Sequence, residues 1–195
     1  MTDKIVSAMK GKGYVVFEQD DKPYNLNIVG VRSENTQSNS FDDKLYVFWW
    51  YKGVLNTIVF DITTDPGKYW LLNPTNPNGT AILVEGQYRG VYQIGLHQGR
   101  YEALVQRGLV RIYRDRNKDT ALDMIDNTIQ QGRNFGINIH QAALNGDTVE
   151  VDKWSAGCQV FANSFDFEIF MNLCKRSARI FGNRFTYTLL NGKEL

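Results

Sequence analysis

The stretch from Leu45 to Gly67 constrains the fold most. It runs LYVFWWY, a short connection holding Lys52-Gly53, LNTIVFDIT, and then Thr64-Asp65-Pro66-Gly67. β-Branched and aromatic side chains dominate both runs, and these suit a pleated, half-buried surface. A brief connection with a glycine between two such runs is a hairpin signal. Pro66 presets φ and Gly67 tolerates positive φ, so the second run ends in a turn.

The same grammar recurs along the chain. Gly13–Glu18, Leu26–Arg32, Thr80–Glu85, Gly90–Leu96 and Val105–Tyr113 are further extended runs, and Phe185–Leu190 is a closing strand. Polar or Pro/Asn/Gly-rich segments at 33–43, 73–79 and 115–120 separate them. Arg100–Leu104 fits one helical turn, and residues 1–12 fit a short helix or a flexible N-terminal extension. One helix is clear: after a capping Asn163 or Ser164, Phe167, Phe170, Met171, Cys174 and Ala178 recur at spacings of three and four, and Gly182 stops the pattern. The expectation is a single mostly β domain over residues 1–195 with one principal α-helix.

Charge narrows the partners. With 22 basic against 21 acidic side chains the net charge is +1, so no basic field favours nucleic acid or an anionic membrane. No apolar run suits a signal peptide or stable membrane insertion. Two cysteines make no disulfide framework, and two histidines without paired ligand motifs fit a zinc centre poorly. Asp115, Asn117 and Asp119 alternate like calcium ligands, but Thr120 and Asp126 stand where such a loop needs glycine and glutamate. Gly11-Lys12-Gly13 is too short for a phosphate loop. No metal or cofactor is implied.

Chemistry concentrates between Phe135 and Phe161. His140 ends a short apolar strand, and eighteen residues later comes Cys158, in Ser155-Ala156-Gly157-Cys158. A thiol nucleophile needs a base near neutral pH, and histidine suits that task. The preceding glycine permits close backbone approach and amides free for an oxyanion. Cys174, on the helix stripe, fits core packing instead.

The pattern His140, fourteen residues, then Ser155-Ala156-Gly157-Cys158 resembles the signature of the L,D-transpeptidase (YkuD-like) catalytic domain. Asn78–Tyr88 is a weaker echo of that family's turn before a strand, without its proline. The segments Tyr24–Gly30, Thr63–Gly67, Tyr113–Asp115 and Gly136–His140 are similar in style to small bacteriophage lysins. The resemblance implies a β-sandwich-like catalytic fold, and peptidoglycan stem peptides as substrate and partner. Cys158 would attack a peptide carbonyl to form a thioester. His140 would shuttle the proton, oriented by the backbone carbonyl of Gln141. Amides of Gly157 and Cys158 would line the oxyanion hole, and Ser155 would support the loop or substrate. Where the family often has histidine before Gly-Cys this chain has Ala156, and two residues after the cysteine it has Val160 rather than arginine or asparagine. These departures favour a hydrolytic, lysin-like enzyme over a cross-linking one.

Gln159, Tyr92, His97 and Arg100 are the expected substrate contacts, with His97 fitting either a second active-site histidine or a surface or loop histidine. Trp154 fits either a shield over the thioester or a core anchor. An active site predicts a low-pKa thiol at Cys158 that alkylates near neutral pH. The rival expectation is a wall-binding or virion module with a relic site, and a weaker one is glycan cleavage by paired carboxylates. Without a signal peptide, the chain is expected to be made in the cytoplasm and to reach the cell wall by a separate route. No oligomeric state is implied.

Overall fold

The computed structural model describes residues 1–195. In chain order the elements are α1 (Thr2–Gly11), β1 (Asn27–Arg32), β2 (Asp43–Tyr51), β3 (Val54–Thr63), α2 (Lys68–Leu72), β4 (Thr80–Leu83), β5 (Gly86–His97) and β6 (Tyr101–Gln106). There follow β7 (Val110–Asp115), β8 (Gln130–Gly132), β9 (Ile139–Gln141), β10 (Gln159–Phe161), α3 (Ser164–Phe181) and β11 (Phe185–Asn191). The protein is mostly β.

The strands do not form a sandwich of two open sheets. Eight close into a barrel in the order β1-β11-β5-β6-β9-β10-β3-β2, and β4-β7-β8 form a separate three-stranded sheet. Closure removes the exposed sheet edges that would otherwise invite pairing with other chains. The hairpin of β2 and β3 turns at Lys52 and Gly53, both with positive φ, as a tight two-residue connection requires.

Alternation divides the core. Leu45, Val47 and Trp49 of β2 face the main apolar cluster with Phe161, Tyr187 and the inner stripe of α3. Phe48, one residue out of phase, joins Val29 and Leu190 on the opposite face. Ile5 and Met9 of α1 cover that face and are essentially inaccessible, so the first twelve residues hold a packed helix and no flexible extension.

α3 forms where the sequence places it. Asn163 caps it by accepting from the amides of Phe165 and Asp166, and Gly182 ends it at φ +87°. Cys174 is buried in the main cluster. Two expected elements differ. Gly13–Glu18 forms no strand: the Val15 amide donates to the Gln87 side chain and the Phe17 amide to that of Asn27. Side-chain amides there take the place of a ladder. Arg100–Leu104 is no helical turn but the start of β6, paired along β5.

Candidate active site

Parallel pairing of β9 and β10 assembles the site. Val160 lies opposite His140 and Gln159 opposite Ile139, so Cys158, just before β10, sits beside the start of β9. A loop that leaves β9 and returns through Trp154 to β10 brings together residues eighteen apart in the chain.

The turn after β3 holds the cysteine loop. The Gly67 amide donates to the Ser155 carbonyl at 2.9 Å. A β-carbon on Gly67 would lie 2.0 Å from the Asp152 carbonyl oxygen. Gly67 has φ −74°, so its glycine serves close approach rather than positive φ. Gly157 does need its freedom: φ is +116°, and a β-carbon there would sit 2.3 Å from the Ala81 carbonyl oxygen.

Ser155 is fully buried. Its hydroxyl donates to the Cys158 carbonyl at 2.8 Å and accepts from the Gly157 amide at 3.2 Å. That bond takes the Gly157 amide away from the oxyanion hole expected of it. The Cys158 amide makes no loop or turn hydrogen bond.

Cys158 is half-buried. Its Sγ donates to the Gly136 carbonyl at 3.2 Å and receives the Asn138 amide at 3.4 Å. Burial pushes the thiol up to about 11, with the Asn138 amide opposing, which overturns the expectation of a low-pKa thiol.

His140 is buried, and its Nδ1 lies 2.7 Å from the Gln141 carbonyl oxygen. That contact places the proton on Nδ1 and leaves Nε2 with its lone pair. Burial lowers the imidazole to about 3, with His97 adding to the shift and the Gln141 carbonyl opposing it. The resting pair is therefore a neutral thiol and a neutral imidazole, with no direct hydrogen bond between them.

His97 stacks on His140 with ring centroids 4.0 Å apart. Its Nδ1 lies 3.1 Å from the Asn138 side-chain nitrogen. Asn138 thus touches His97 with its side chain and Cys158 with its backbone. Tyr101 approaches from β6, its hydroxyl 3.3 Å from the Gln141 carbonyl and 3.4 Å from His140 Nδ1.

A cavity of about 560 Å³ opens beside His140, bounded by Trp70, His97, Arg100, Tyr101 and Trp154. Trp154 is 45% exposed, so it stands at the mouth and is no core anchor. A second cavity of about 440 Å³ is bounded by Trp70, Ala81, Arg114, Gln130 and, from the cysteine loop, Ala156.

Of the expected substrate contacts, His97 and Arg100 line the first cavity. Tyr92 and Gln159 are corrected: both are wholly buried. Tyr92 packs its ring against Tyr187. Gln159 accepts from the Tyr187 hydroxyl at 2.7 Å and reaches the Thr64 carbonyl at 3.4 Å, bracing the turn beneath the loop. Tyr101, Asn138, Trp70 and Arg114 escaped the sequence reading. Tyr101, Trp70 and Arg114 come from distant segments, whereas Asn138 lies two residues before His140, where nothing in the sequence distinguishes it from its neighbours. No known family, curated protein or solved structure matches this chain.

Proposed function

We propose that this protein is a peptidoglycan-directed cysteine hydrolase that cleaves stem peptides through a thioester. The observation that carries the reading is His140, its Nδ1 held at 2.7 Å by the Gln141 carbonyl, beside a cysteine set in a glycine loop. The Gln141 contact is the one expected from the resemblance to L,D-transpeptidases, and it leaves the Nε2 lone pair free to take a proton.

In the first step His140 Nε2 takes the Sγ proton as Cys158 attacks the peptide carbonyl carbon. The carbon–nitrogen bond then breaks, and the imidazolium returns that proton to the leaving amine. Water attacks the thioester, gives a proton to His140 and releases the acid, and the thiol recovers its proton. An amine in place of water would make a cross-link. At rest the imidazole near 3 is unprotonated, but taking a proton from a thiol near 11 is uphill, so charge develops only as the carbonyl is attacked. The Cys158 amide is the donor available to the developing oxyanion.

A second reading, a binding module with a relic site, draws on the raised thiol and on the Gly157 amide bonded to Ser155. Digestion of purified peptidoglycan by wild type and Cys158→Ala, with products identified by mass spectrometry, separates the two. New stem-peptide fragments that require Cys158 are expected. Linked stems would mean transpeptidation. Wall binding without any product, across several wall types, would favour the relic.

A further inference from the structure

Two arginines of this chain are buried and are treated differently. Arg32, 1% exposed, is neutralised by Asp65 at 2.9 Å and Glu85 at 2.7 Å. Arg114, 7% exposed, takes part in no ion pair. Its Nε donates to the Gln130 side chain at 2.9 Å and its Nη1 to the Gly79 carbonyl at 3.0 Å, and its guanidinium lies 5.4 Å from the Phe135 ring centroid. All of these partners are neutral. A buried cation without a counter-charge is costly, and a chain keeps one where an anion arrives from outside.

The surroundings point the same way. Arg114 lines the 440 Å³ cavity whose wall includes Ala156 of the cysteine loop, and no aspartate or glutamate lines it. Through Asn134 it adjoins a shallower depression of about 320 Å³ that holds Arg107 and Arg133 and again no acid. A chain of net charge +1 thus gathers three arginines in two adjoining depressions, the second lined by Gly136 and Asn138, both of which contact Cys158 Sγ. Ala156 carries only a methyl group and keeps the cavity open. Trp70 walls this cavity and the His140 cavity alike.

We propose that the Arg114 cavity is a carboxylate-binding subsite, which grips an acidic group of the acyl half of a peptide while the leaving half lies toward His140. The proposal rests on the hydrolase reading for the direction of the peptide, and on Arg114 alone for the anion. Nη2 of Arg114 has no hydrogen-bond partner, and a guanidinium matches a carboxylate through charge-assisted hydrogen bonds. The remaining lining sets the amides of Asn76 and Asn134 and the hydroxyls of Thr75 and Thr80 beside apolar Trp70 and Phe135, a mixture that suits a peptide.

The test is calorimetric binding to Cys158→Ala of a synthetic stem tetrapeptide, with its carboxylates free or amidated. The free acid is expected to bind about tenfold or more tightly, as a charge-assisted pair warrants. Arg114→Gln should abolish that preference. Because Arg114 also supports the fold, Gln130→Glu is the second variant: it places a carboxylate beside Arg114, and should remove the preference while the thermal midpoint holds or rises. Equal affinity for the two peptides, binding of neither, or a preference that survives Gln130→Glu would overturn the subsite. An intact preference together with no wall cleavage by the wild type would retain the subsite and sink the hydrolase.

Discussion

At the scale of the residue, the site is set by which proton sits where. Burial leaves the Cys158 thiol at about 11 and the His140 imidazole at about 3, so neither is charged at neutral pH. The thiolate is the alkylating species, and each pH unit below the thiol pKa cuts its fraction about tenfold. The iodoacetamide rate at Cys158 should therefore climb about tenfold per unit from pH 7 to 10 and level off only near 11. Mass spectrometry of the labelled protein measures it, and a plateau already reached at pH 7 would show an ion pair at rest. Cys174 should stay unlabelled in the folded protein, since it is fully buried. Cys158 and His140 were legible as candidates from spacing. Their protonation states were not, because desolvation comes from strands far away in the chain.

At the scale of the element, α3 and the β9–β10 pair contrast. A helix is a local object: its cap, stripe and stop lie within one run of residues, so sequence displays all three. Asn163→Ala should cost about 1 kcal/mol, because two amides lose their acceptor. Asn163→Asp should keep most of that stability, and urea denaturation midpoints compare the two. β9 and β10 span three residues each, too few to show a period. Their parallel register comes from the long loop between them and from neighbours β6 and β3. The Gly13–Glu18 segment shows the converse. It has strand composition, yet its amides are met by Gln87 and Asn27, and composition alone cannot say where a hydrogen bond goes.

At the scale of the whole molecule, a buried polar knot ties the barrel to the cysteine loop. Arg32 of β1 bonds the Leu83 carbonyl after its ion pairs with Asp65 and Glu85, and Asp65 belongs to the turn that supports Ser155. Burial drives the Asp65 carboxyl up to about 7 even beside Arg32, so removing the guanidinium strands it. Arg32→Met should lose about 3–5 kcal/mol in urea unfolding, as breaking a buried pair does. Added Asp65→Asn and Glu85→Gln should recover part of that loss. A loss below about 1 kcal/mol for Arg32→Met alone would mean that the carboxylates are solvated elsewhere. The sequence by itself determined the β class and the capped helix, because these are written in short-range period and turn chemistry. The tertiary structure alone decided that the strands close into a barrel, that Tyr92 and Gln159 lie inside, and that Arg114 faces a cavity without a counter-charge. Those outcomes depend on which distant segments share a face, and that is a property of the closed chain in space.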